Sequence, residues 1–596
     1  MISSVFSCLS HLDAGVAACL FPAALAILVS GLDDLTLNLI CLWTWARRVA
    51  HGTPSAATAE KSIAIYVPLW HEHAVIAGMV EHNVSAIDYD NYHFFIGAYP
   101  NDDLTLDAVR DLEARYPHVH LAICPHDGPT SKADCLNWIY QRMLLFEEQR
   151  GEHFDIVVTH DAEDLIHPEA LSRIDAYSDE FDMVQIPVLP LATPFRNLVH
   201  GAYCDEFAEW QIKDMPARQT MGSFVPSNGV GTGYKREALE KLATADHNLI
   251  FEPACLTEDY ENGLRLHKLC CRQMFVPVVR SQRGIVATRE FFPRTVHGAI
   301  RQRTRWIMGI GLQSWERHGW RGNPAQVYWF WRDRKGLFGN PLSLLTNLLF
   351  AYGALTWAYS KVSGLPWGLA RENLHPRLLL ATLLVQLMQT GIRMSCTGRI
   401  YGSVFALGVP LRTVCSNWIN SVASIKAVYG YLRARIRHEP LVWLKTEHAY
   451  PTRNALVEHK RRLGEILVGS GYLEESDLRR ALETKPVGMR LGEHLVRLGR
   501  IAEDDLYEAL SLQQGLPAGR LEPWGISRKI ARALPRHIVR DWRVLPFRVA
   551  TGNIFLASPE IPTDELSRTL QGFTRLSLRF HLVTPENFEE LKCALL

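Results

Sequence analysis

The pattern of hydrophobic and polar positions changes period along the chain, and each change predicts a different part of the molecule. Between residues 61 and 318, short β-branched and aromatic runs alternate with helical stretches. This alternation is typical of an α/β sheet with largely parallel strands. The first four strands are predicted at residues 63–67, 93–98, 118–124 and 155–159. The predicted fold class is therefore α/β for this block.

Polar residues follow each of these four runs, at 71–72, 101–103, 127–132 and 161–164. In open α/β sheets ligands bind at the carboxyl ends of the strands, so these clusters are expected to form one site. Residues 71–73 read His-Glu-His, but a His-Glu-x-x-His zinc motif would need a second histidine where Val75 stands.

The amino-terminal apolar stretch, residues 15–32, follows 12 residues without Lys or Arg and therefore lacks the basic leader of a signal peptide. It is predicted to be a membrane anchor, followed by an interfacial helix at 35–45. Arg47 and Arg48 come next, and the positive-inside tendency places the following block in the cytoplasm.

A second apolar region lies after the α/β block. Residues 341–360 and 378–394 are each near the length that crosses a bilayer. Residues 400–432 are long but interrupted by Pro410 and Arg412, which favours an interfacial helix. An even number of crossings keeps both ends of this region in the cytoplasm. The alternative is a soluble protein with unusually apolar core helices.

A tandem repeat follows: residues 462–485 read RLGEILVGSGYLEESDLRRALETK and residues 490–513 read RLGEHLVRLGRIAEDDLYEALSLQ. Two matching helical units suit a ligand made of two matching halves, with planar guanidinium groups for base edges or phosphates. The alternative is an ordinary helix pair with the leucines as core and the arginines solvated. Lys485 stands where the second repeat has Gln513.

Composition narrows the function classes. The 63 basic residues equal the 63 acidic ones, so no nucleic-acid partner is expected. Twelve cysteines occur without a Cys-x-x-Cys pair, which favours reduced thiols in a cytosolic setting. The 16 tryptophans suit membrane contact. The phosphate cradle of an ATPase, G-x-x-x-x-G-K-[ST], is absent from the sequence.

An ordered set of motifs resembles the family 2 glycosyltransferases that include cellulose and chitin synthases. The motifs read VPLWHE, GPTSKADCLN, HDAEDLIHP, SNGVGTGYKRE, LTEDYENGLRL and RQRTRWIMG. The resemblance implies a GT-A, Rossmann-like domain that transfers a sugar from a nucleotide diphosphate sugar with the help of Mg2+ or Mn2+.

The resemblance also implies roles for individual residues. Asp161 and Glu163 match the D-x-D element that binds the metal, with Glu in place of the second Asp. Asp259, after Glu258, matches the general base of the T-E-D element. Gln302, Arg305 and Trp306 match Q-x-x-R-W, which would bind the leaving diphosphate and a sugar ring. By family position, the donor nucleotide would contact Tyr66, Glu72, Lys132 and Asp161.

The repeat resembles the amino-terminal domain of type II secretion and pilus ATPases, one branch of which binds cyclic di-GMP. This implies a pseudo-two-fold site formed by Arg462, Leu463, Gly464, Leu467, Gly471, Leu478, Leu482, Arg490, Leu491, Gly492, Leu495, Gly499, Leu506, Leu510 and Gln513.

The whole arrangement is similar to the phage N4 adsorption protein B group. It implies a multi-pass protein of the bacterial inner membrane that is activated by cyclic di-GMP and extends a glycan or lipid-linked acceptor for export, with an outer-membrane export protein as a candidate partner. Predicted divisions are an anchor (1–50), a transferase domain (51–335), a membrane hairpin with interfacial helix (336–432), a linker (433–460) and an α+β sensor (461–596).

Two other functions fit the same sequence. One is a processive synthase that threads its polymer through its own helices, although two or three spans are few for a channel. The other is a catalytically inactive membrane scaffold, or phage adsorption component, that reads cyclic di-GMP.

Overall fold

The computed structural model describes residues 2–48, 60–245, 249–372, 374–439, 441, 463–464, 467, 472–486, 489–514, 516, 518–550, 553–574 and 576–596. The chain divides into two compact units. The first contains Met1–Val279 and Ile285–Tyr450, and the second contains Arg280–Gly284 and Pro451–Leu596.

The first unit is built on a seven-stranded sheet in the order β3-β2-β1-β4-β7-β5-β8. Its strands are β1 (Ile63–Pro68), β2 (Tyr92–Ala98), β3 (Val119–Ile123), β4 (Ile156–Thr159), β5 (Met183–Gln185), β7 (Thr232–Lys235) and β8 (Gln273–Phe275). A two-stranded ribbon pairs β6 (Val188–Pro190) with β11 (Thr288–Glu290) in parallel, and β9 (Arg280–Ser281) pairs with β10 (Gly284–Ile285).

The predicted α/β fold and its first four strands are confirmed. β1, β2 and β3 run parallel to one another, β4 runs parallel to β1, and all four are largely buried because helical crossovers cover both faces. β7 is antiparallel to both β4 and β5. The helices around the sheet are α2 (Ile76–Ala86), α3 (Asp103–Arg115), α4 (Lys132–Arg150), α5 (Ala170–Ser178), α8 (Arg236–Ala245) and α9 (Glu258–Lys268).

A second group of helices packs beside the sheet. It contains α1 (Ile2–Arg48), α6 (Leu198–Glu209), α7 (Met215–Thr220), α10 (Val296–Trp306), α11 (Ser314–His318), α12 (Pro324–Ser363), α13 (Pro376–Tyr401), α14 (Ser403–Ala406) and α15 (Val409–Arg437). Two short π-helical segments, Trp210–Asp214 and Ile307–Gln313, extend α6 and α10.

Two described helical segments, His11–Thr44 and Pro376–Tyr401, are long and apolar enough to cross a bilayer. They contain the predicted spans 15–32 and 378–394. The predicted span 341–360 forms much of the second half of α12, which is not one of these two segments.

The separate interfacial helix predicted at 35–45 is wrong, because α1 continues unbroken through it. Asp33 and Asp34, which lie between the two predicted segments, pair with Arg332 and Lys335 of α12 at 2.5–3.1 Å. The helix therefore needs no end at this point. In the predicted linker, residues 433–437 continue α15, and residues 442–460 lie outside the described residues.

The second unit is an α+β domain. Its helices are α16 (Glu475–Thr484), α17 (Leu491–Arg497), α18 (Glu503–Gln514), α19 (Arg528–Ala531), α20 (Arg536–Trp542), α21 (Asp564–Gln571) and α22 (Pro585–Leu595). Its sheet joins β12 (Leu545–Ala550), β13 (Asn553–Ser558) and β14 (Ser577–Leu582), with β13 antiparallel to β12 and parallel to β14.

Candidate active site

A cleft with a volume of about 120 Å3, partly open to solvent, lies at the carboxyl edge of the sheet. Residues from eight separate segments line it, and they include members of three of the four predicted polar clusters, whereas residues 101–103 do not line it. Its lining includes Glu72, Lys132, Asp161, Glu163, Glu258, Asp259, Gln302, Arg305 and Trp306. All the candidate catalytic and metal-binding residues named from the sequence therefore share one cavity.

Buried hydrogen bonds fix the acidic turn after β4, residues 161–164. His160 Nδ1 lies 2.8 Å from Asp164 Oδ2, which also accepts a hydrogen bond from the backbone N–H of Asp161. The buried amide of Asn83, on α2, donates to the carbonyl of Asp164 and accepts from the N–H of Ile166, each at 2.8 Å. This turn presents Asp161 and Glu163 to the cleft from a fixed backbone.

Lys132 stands at the start of α4 and its ammonium Nζ lies 2.6 Å from Asp161 Oδ1. Nζ also donates to the carbonyl of Gly229 at 3.4 Å. Burial alone would lower the pKa of Lys132, but the charges of Asp161 and Glu258 raise it above its ordinary value. The cleft therefore holds a charged ammonium between two acidic elements.

The T-E-D element begins α9. Thr257 occupies the N-cap position, but its side chain makes no capping hydrogen bond to α9. Burial and the charge of neighbouring Asp259 raise the pKa of Glu258 to about 7. Burial also raises the pKa of Asp259, although the charge of Lys132 and the N–H of Tyr260 act against it. The first turn of a helix favours such acidic groups.

Gln302, Arg305 and Trp306 lie in the last turns of α10. Arg305 Nη1 donates to the carbonyl of Leu256 at 3.1 Å, which ties α10 to the segment before the T-E-D element. Among the described residues, Gln302 Oε1 and Arg305 Nε are buried without a hydrogen-bond partner. Unpaired polar atoms in a buried site are costly, so these two suit a polar ligand.

The opposite side of α10 is held by charges from other helices. Arg303 Nη1 lies 2.7 Å from Glu206 Oε2 of α6 and donates to Asn420 Oδ1 of α15. Its guanidinium also lies 4.2 Å from the ring centre of Tyr203. Arg303 therefore fixes the helix that carries Gln302, Arg305 and Trp306 without entering the cleft.

The structure corrects the expectation that the side chain of Tyr66 contacts the donor nucleotide. Its side chain is fully buried beneath α4, with its hydroxyl 3.0 Å from Met143 Sδ, and it is not among the residues that line the cleft. In β1 the side chains alternate between faces, and position 66 points into the core shared with Ala64.

Two lining residues, Glu290 and Asn228, were not among the predicted site residues. Burial and the charges of Asp164 and Glu163 raise the pKa of Glu290 well above its ordinary value. Both side-chain polar atoms of Asn228 are buried without a partner among the described residues. Asn228 stands in the motif SNGVGTGYKRE, which contained a signal for it, whereas Glu290 lies outside the quoted motifs.

Asp161 and Glu163 are chemically suitable ligands for a divalent cation. Carboxylate oxygens are the ligands that Mg2+ and Mn2+ prefer, and Asp161 and Glu163 share the cleft. Within the part of the chain that the structure describes, no group of three or more His, Cys, Asp or Glu could hold a metal ion.

The tandem repeat has a repeated packing contact. An added Cβ at Gly464 would lie 2.6 Å from Leu478, and one at Gly492 would lie within 2.5 Å of Leu506. These glycines thus allow close packing against a leucine of the following helix.

Most described leucines of the repeat belong to its core. Leu467, Leu495 and Leu506 are buried, while Leu463, Leu478, Leu491 and Leu510 are half-buried against them. Leu482 and Arg490 are exposed, and Gly499 adopts a positive φ of 65° in open space. Arg462 and Gly471, and the side chain of Gln513, lie outside the described residues. The core leucines fit the alternative of an ordinary helix pair, and Arg490 is exposed at the start of α17.

Comparison with protein families gives two matches. The family described as "Glycosyltransferase like family 2" matches residues 60–309. The MshEN domain family matches residues 514–593. This match begins directly after the tandem repeat, which ends at residue 513. The first unit therefore contains a family 2 glycosyltransferase domain with a GT-A-like fold, and the second contains an MshEN domain.

Solved structures give weaker likenesses. A mannosyltransferase from Pyrobaculum calidifontis, in complex with GDP-Man and Mn2+, is 17% identical with a TM-score of 0.41, covering 70% of this chain and 99% of its own. A structure of MshE with cdg is 23% identical with a TM-score of 0.21, covering 23% of this chain and 99% of its own.

The bacteriophage adsorption protein B of Escherichia coli strain K12 is 32% identical to this chain over 579 residues, which is 90% of this chain and 76% of that protein. The bacteriophage N4 adsorption protein B of Escherichia coli O157:H7 matches to the same extent. On this similarity, the chain belongs to the bacteriophage adsorption protein B family.

Proposed function

We propose that this protein is a membrane-bound, inverting glycosyltransferase that moves a sugar from a nucleotide diphosphate sugar, uridine-linked by preference, to a glycan or lipid-linked acceptor. The convergence of Lys132, Asp161, Glu163, Asp259 and the Gln302-Arg305-Trp306 set on one cleft carries this proposal. One carboxylate base and a single displacement would invert the configuration of the sugar.

Asp259 is the proposed general base. An acceptor hydroxyl is a poor nucleophile until a base removes its proton, and a positioned carboxylate supplies about 100- to 10,000-fold in rate. Burial makes Asp259 a stronger base than a solvated aspartate, because its pKa is raised. The neighbouring Glu258 strengthens this effect when it is ionised, since two adjacent carboxylates resist sharing negative charge.

The donor diphosphate is proposed to lie between Lys132 and Arg305. Both are cations in the cleft, and the leaving diphosphate gains negative charge as its bond to the sugar breaks. Asp161 and Glu163 would hold Mg2+ or Mn2+, which when bound would neutralise charge on the diphosphate. Glu72 is a donor contact by family position only, and Trp306 offers its half-buried ring to a sugar.

The membrane arrangement is also a proposal. Asp13 accepts a hydrogen bond from Tyr352 at 2.9 Å and Asp33 pairs with Lys335 at 3.0 Å, so α1 and α12 run antiparallel between these two contacts. Twenty helical residues between the two aspartates extend about 30 Å, the thickness of a hydrocarbon core. We propose that α1, α12 and α13 cross the inner membrane, with both domains cytoplasmic.

Cyclic di-GMP is proposed to bind the tandem repeat and to activate the transferase. Arg490 is exposed at the start of α17, where it could form paired hydrogen bonds with a guanine edge or phosphate. In the full-length protein, Arg462→Ala with Arg490→Ala should abolish binding of labelled cyclic di-GMP. Arg520→Ala, which removes an exposed arginine paired with Glu590, is the matched control. Unchanged binding in the double variant would refute the site.

A second candidate function comes from the relatives, which are named for phage adsorption. The protein would then be a membrane component that reads cyclic di-GMP without catalysis. The buried, unpaired polar atoms of Gln302 and Arg305 in the cleft favour an enzyme over a non-catalytic component.

The deciding experiment is an assay of nucleoside diphosphate release from a panel of sugar nucleotides, with and without cyclic di-GMP. Release that depends on Asp259 supports the transferase, and a product ladder on a gel would identify a processive synthase. No release from any donor, under conditions in which cyclic di-GMP binds, would favour the non-catalytic component.

A further inference from the structure

Helix α15 exposes an apolar stripe along its whole length. The stripe consists of Leu407, just before the helix, and Leu411, Val414, Trp418, Ile425, Tyr429, Leu432 and Ile436, each between 44% and 78% exposed. The steps of three, four or seven residues keep these side chains on one face. Such a continuous apolar surface marks a contact with a membrane or partner.

The stripe is edged with positive charge. Lys426 and Arg433 are exposed beside it, and Arg435 and Arg437 lie near the end of the helix. A helix with one apolar face and flanking basic residues lies in the membrane surface and favours anionic lipids. Large apolar side chains of α12 and α13 are exposed as well, for example Phe350 and Leu384. These belong to the proposed spans, so a lipid surface is the occupant that the structure favours.

The inner face of α15 packs against the catalytic helix α10. Ile419 and Ala423 belong to the same buried cluster as Ala299 and Ile300 of α10. Asn420 accepts a hydrogen bond from Arg303, and Thr304 Oγ1 donates to the carbonyl of Ala423 at 3.5 Å. One helix therefore separates α10 from the stripe, a thickness of about 10 Å.

We infer that α15 lies in the cytoplasmic surface of the bilayer and that the acceptor is a lipid-linked glycan presented at that surface. This inference rests on the proposed function and chooses between its two acceptor classes. The cleft lies on the far side of α10, so α10 and α15 together hold it about two helix diameters from the headgroups. From this position it can meet the sugars of a membrane-bound acceptor without extracting the lipid.

The position of α15 can be tested independently of enzyme activity, by hydroxyl-radical footprinting of the full-length protein in anionic lipid nanodiscs. Trp418 and Tyr429 should be oxidised at least tenfold more slowly than Trp524, an 87% exposed residue of the second unit. Equal oxidation of the three side chains would overturn the assignment of α15 to the lipid surface.

The acceptor is tested with a radiolabelled donor sugar and protein in vesicles of bacterial inner-membrane lipids, followed by extraction into organic solvent. We expect label in the lipid extract, and Ile425→Lys should reduce it at least tenfold while donor hydrolysis by water changes less than twofold. Leu104→Lys, a similarly exposed site on α3, is the control. Label confined to water-soluble glycans would overturn the lipid-linked acceptor and leave the transferase standing. No donor consumption would overturn both.

Discussion

Substituting Arg303 with methionine should misplace the catalytic helix α10 without touching the lining of the cleft. Methionine keeps much of the volume but removes the guanidinium that links α10 to α6 and α15. The side chain of Arg303 is only 5% exposed, whereas that of its partner Glu206 is 25% exposed. The substitution therefore removes the ion-pair partner of a mostly buried carboxylate, which keeps hydrogen bonds from Ser416 and Asn420 and the charge of Arg393.

The size of the effect follows from this burial. Breaking a buried ion pair by removing one partner costs about 3–5 kcal/mol. Because a quarter of the Glu206 side chain reaches solvent, we expect the lower end, about 3 kcal/mol. One kcal/mol lowers the melting temperature of a domain of this size by about 2–4 °C, so the apparent melting temperature should fall by about 6–12 °C.

Activity should fall further than stability alone would require. A displacement of about 1 Å in a positioning element can cost 100-fold in rate. We therefore expect kcat for diphosphate release to fall by about 10- to 100-fold, with a smaller change in the donor KM, because Gln302 and Arg305 no longer meet the leaving group correctly. Initial rates measured well below the melting temperature separate this effect from unfolding.

Two comparisons make the prediction refutable. Arg301→Met changes a neighbouring arginine that makes no ion pair within the described chain, and it should alter neither quantity much. In the double variant Arg303→Met with Glu206→Gln, the losses should be smaller than the sum of the single losses, because no charge is left unpaired. If Arg303→Met behaves like Arg301→Met in both melting and kcat, then the pair does not position α10.

Three further predictions concern the cleft itself. Asp259→Asn should lower kcat at least about 100-fold with little change in melting temperature; retention of more than a tenth of the wild-type rate would exclude Asp259 as the base. Because the pKa of Glu258 is raised to about 7, the transfer rate should rise as pH increases to about 7, and Glu258→Gln should remove this rise. Because the pKa of Glu258 is raised in the folded state, the folded protein binds the proton of Glu258 more tightly than the unfolded chain does. The free energy of unfolding should therefore fall as pH rises to about 7, and Glu258→Gln should stabilise the protein above about pH 7. If the melting temperature depends on pH in the same way in the wild type and the variant, this assignment is wrong. Gly229→Ala should reduce kcat about tenfold, because φ is +79° and the new Cβ would lie 3.0 Å from Asp259 Oδ2. The control is Gly151→Ala, where φ is +69° and the new Cβ would meet open space. Equal kinetics in the two variants would argue against the contact with Asp259.

The sequence predicted the central sheet well because its signal is local. The apolar runs of β1 to β4 are buried on both faces, so their limits agree with the prediction to within one residue. The cleft followed from a general rule about sheet edges rather than from any one motif. That rule placed Lys132 and Asp161 in a single site, whereas Asp259 and Arg305 were assigned to it by their resemblance to family motifs.

The errors arose where the outcome depends on distant partners. Asp33 and Asp34 lie between the two segments that were predicted separately, and they pair with cations of α12 that stand about 300 residues later in the chain. Tyr66 was assigned by motif position, although the alternation of side chains along β1 already pointed it into the core. The pairing of Arg303 with Glu206 is likewise invisible in a linear pattern, since the two residues lie on separate helices.

The hydrogen bonds between the acidic turn and Asn83 also bear on how the protein loses activity when it is heated. The amide of Asn83 is completely buried on α2 and joins the turn to the hydrophobic interior. The turn therefore cannot loosen on its own without exposing that amide and the backbone groups it satisfies. Loss of activity on heating should consequently coincide with collapse of the sheet domain, with no lower temperature at which the protein is intact but inactive.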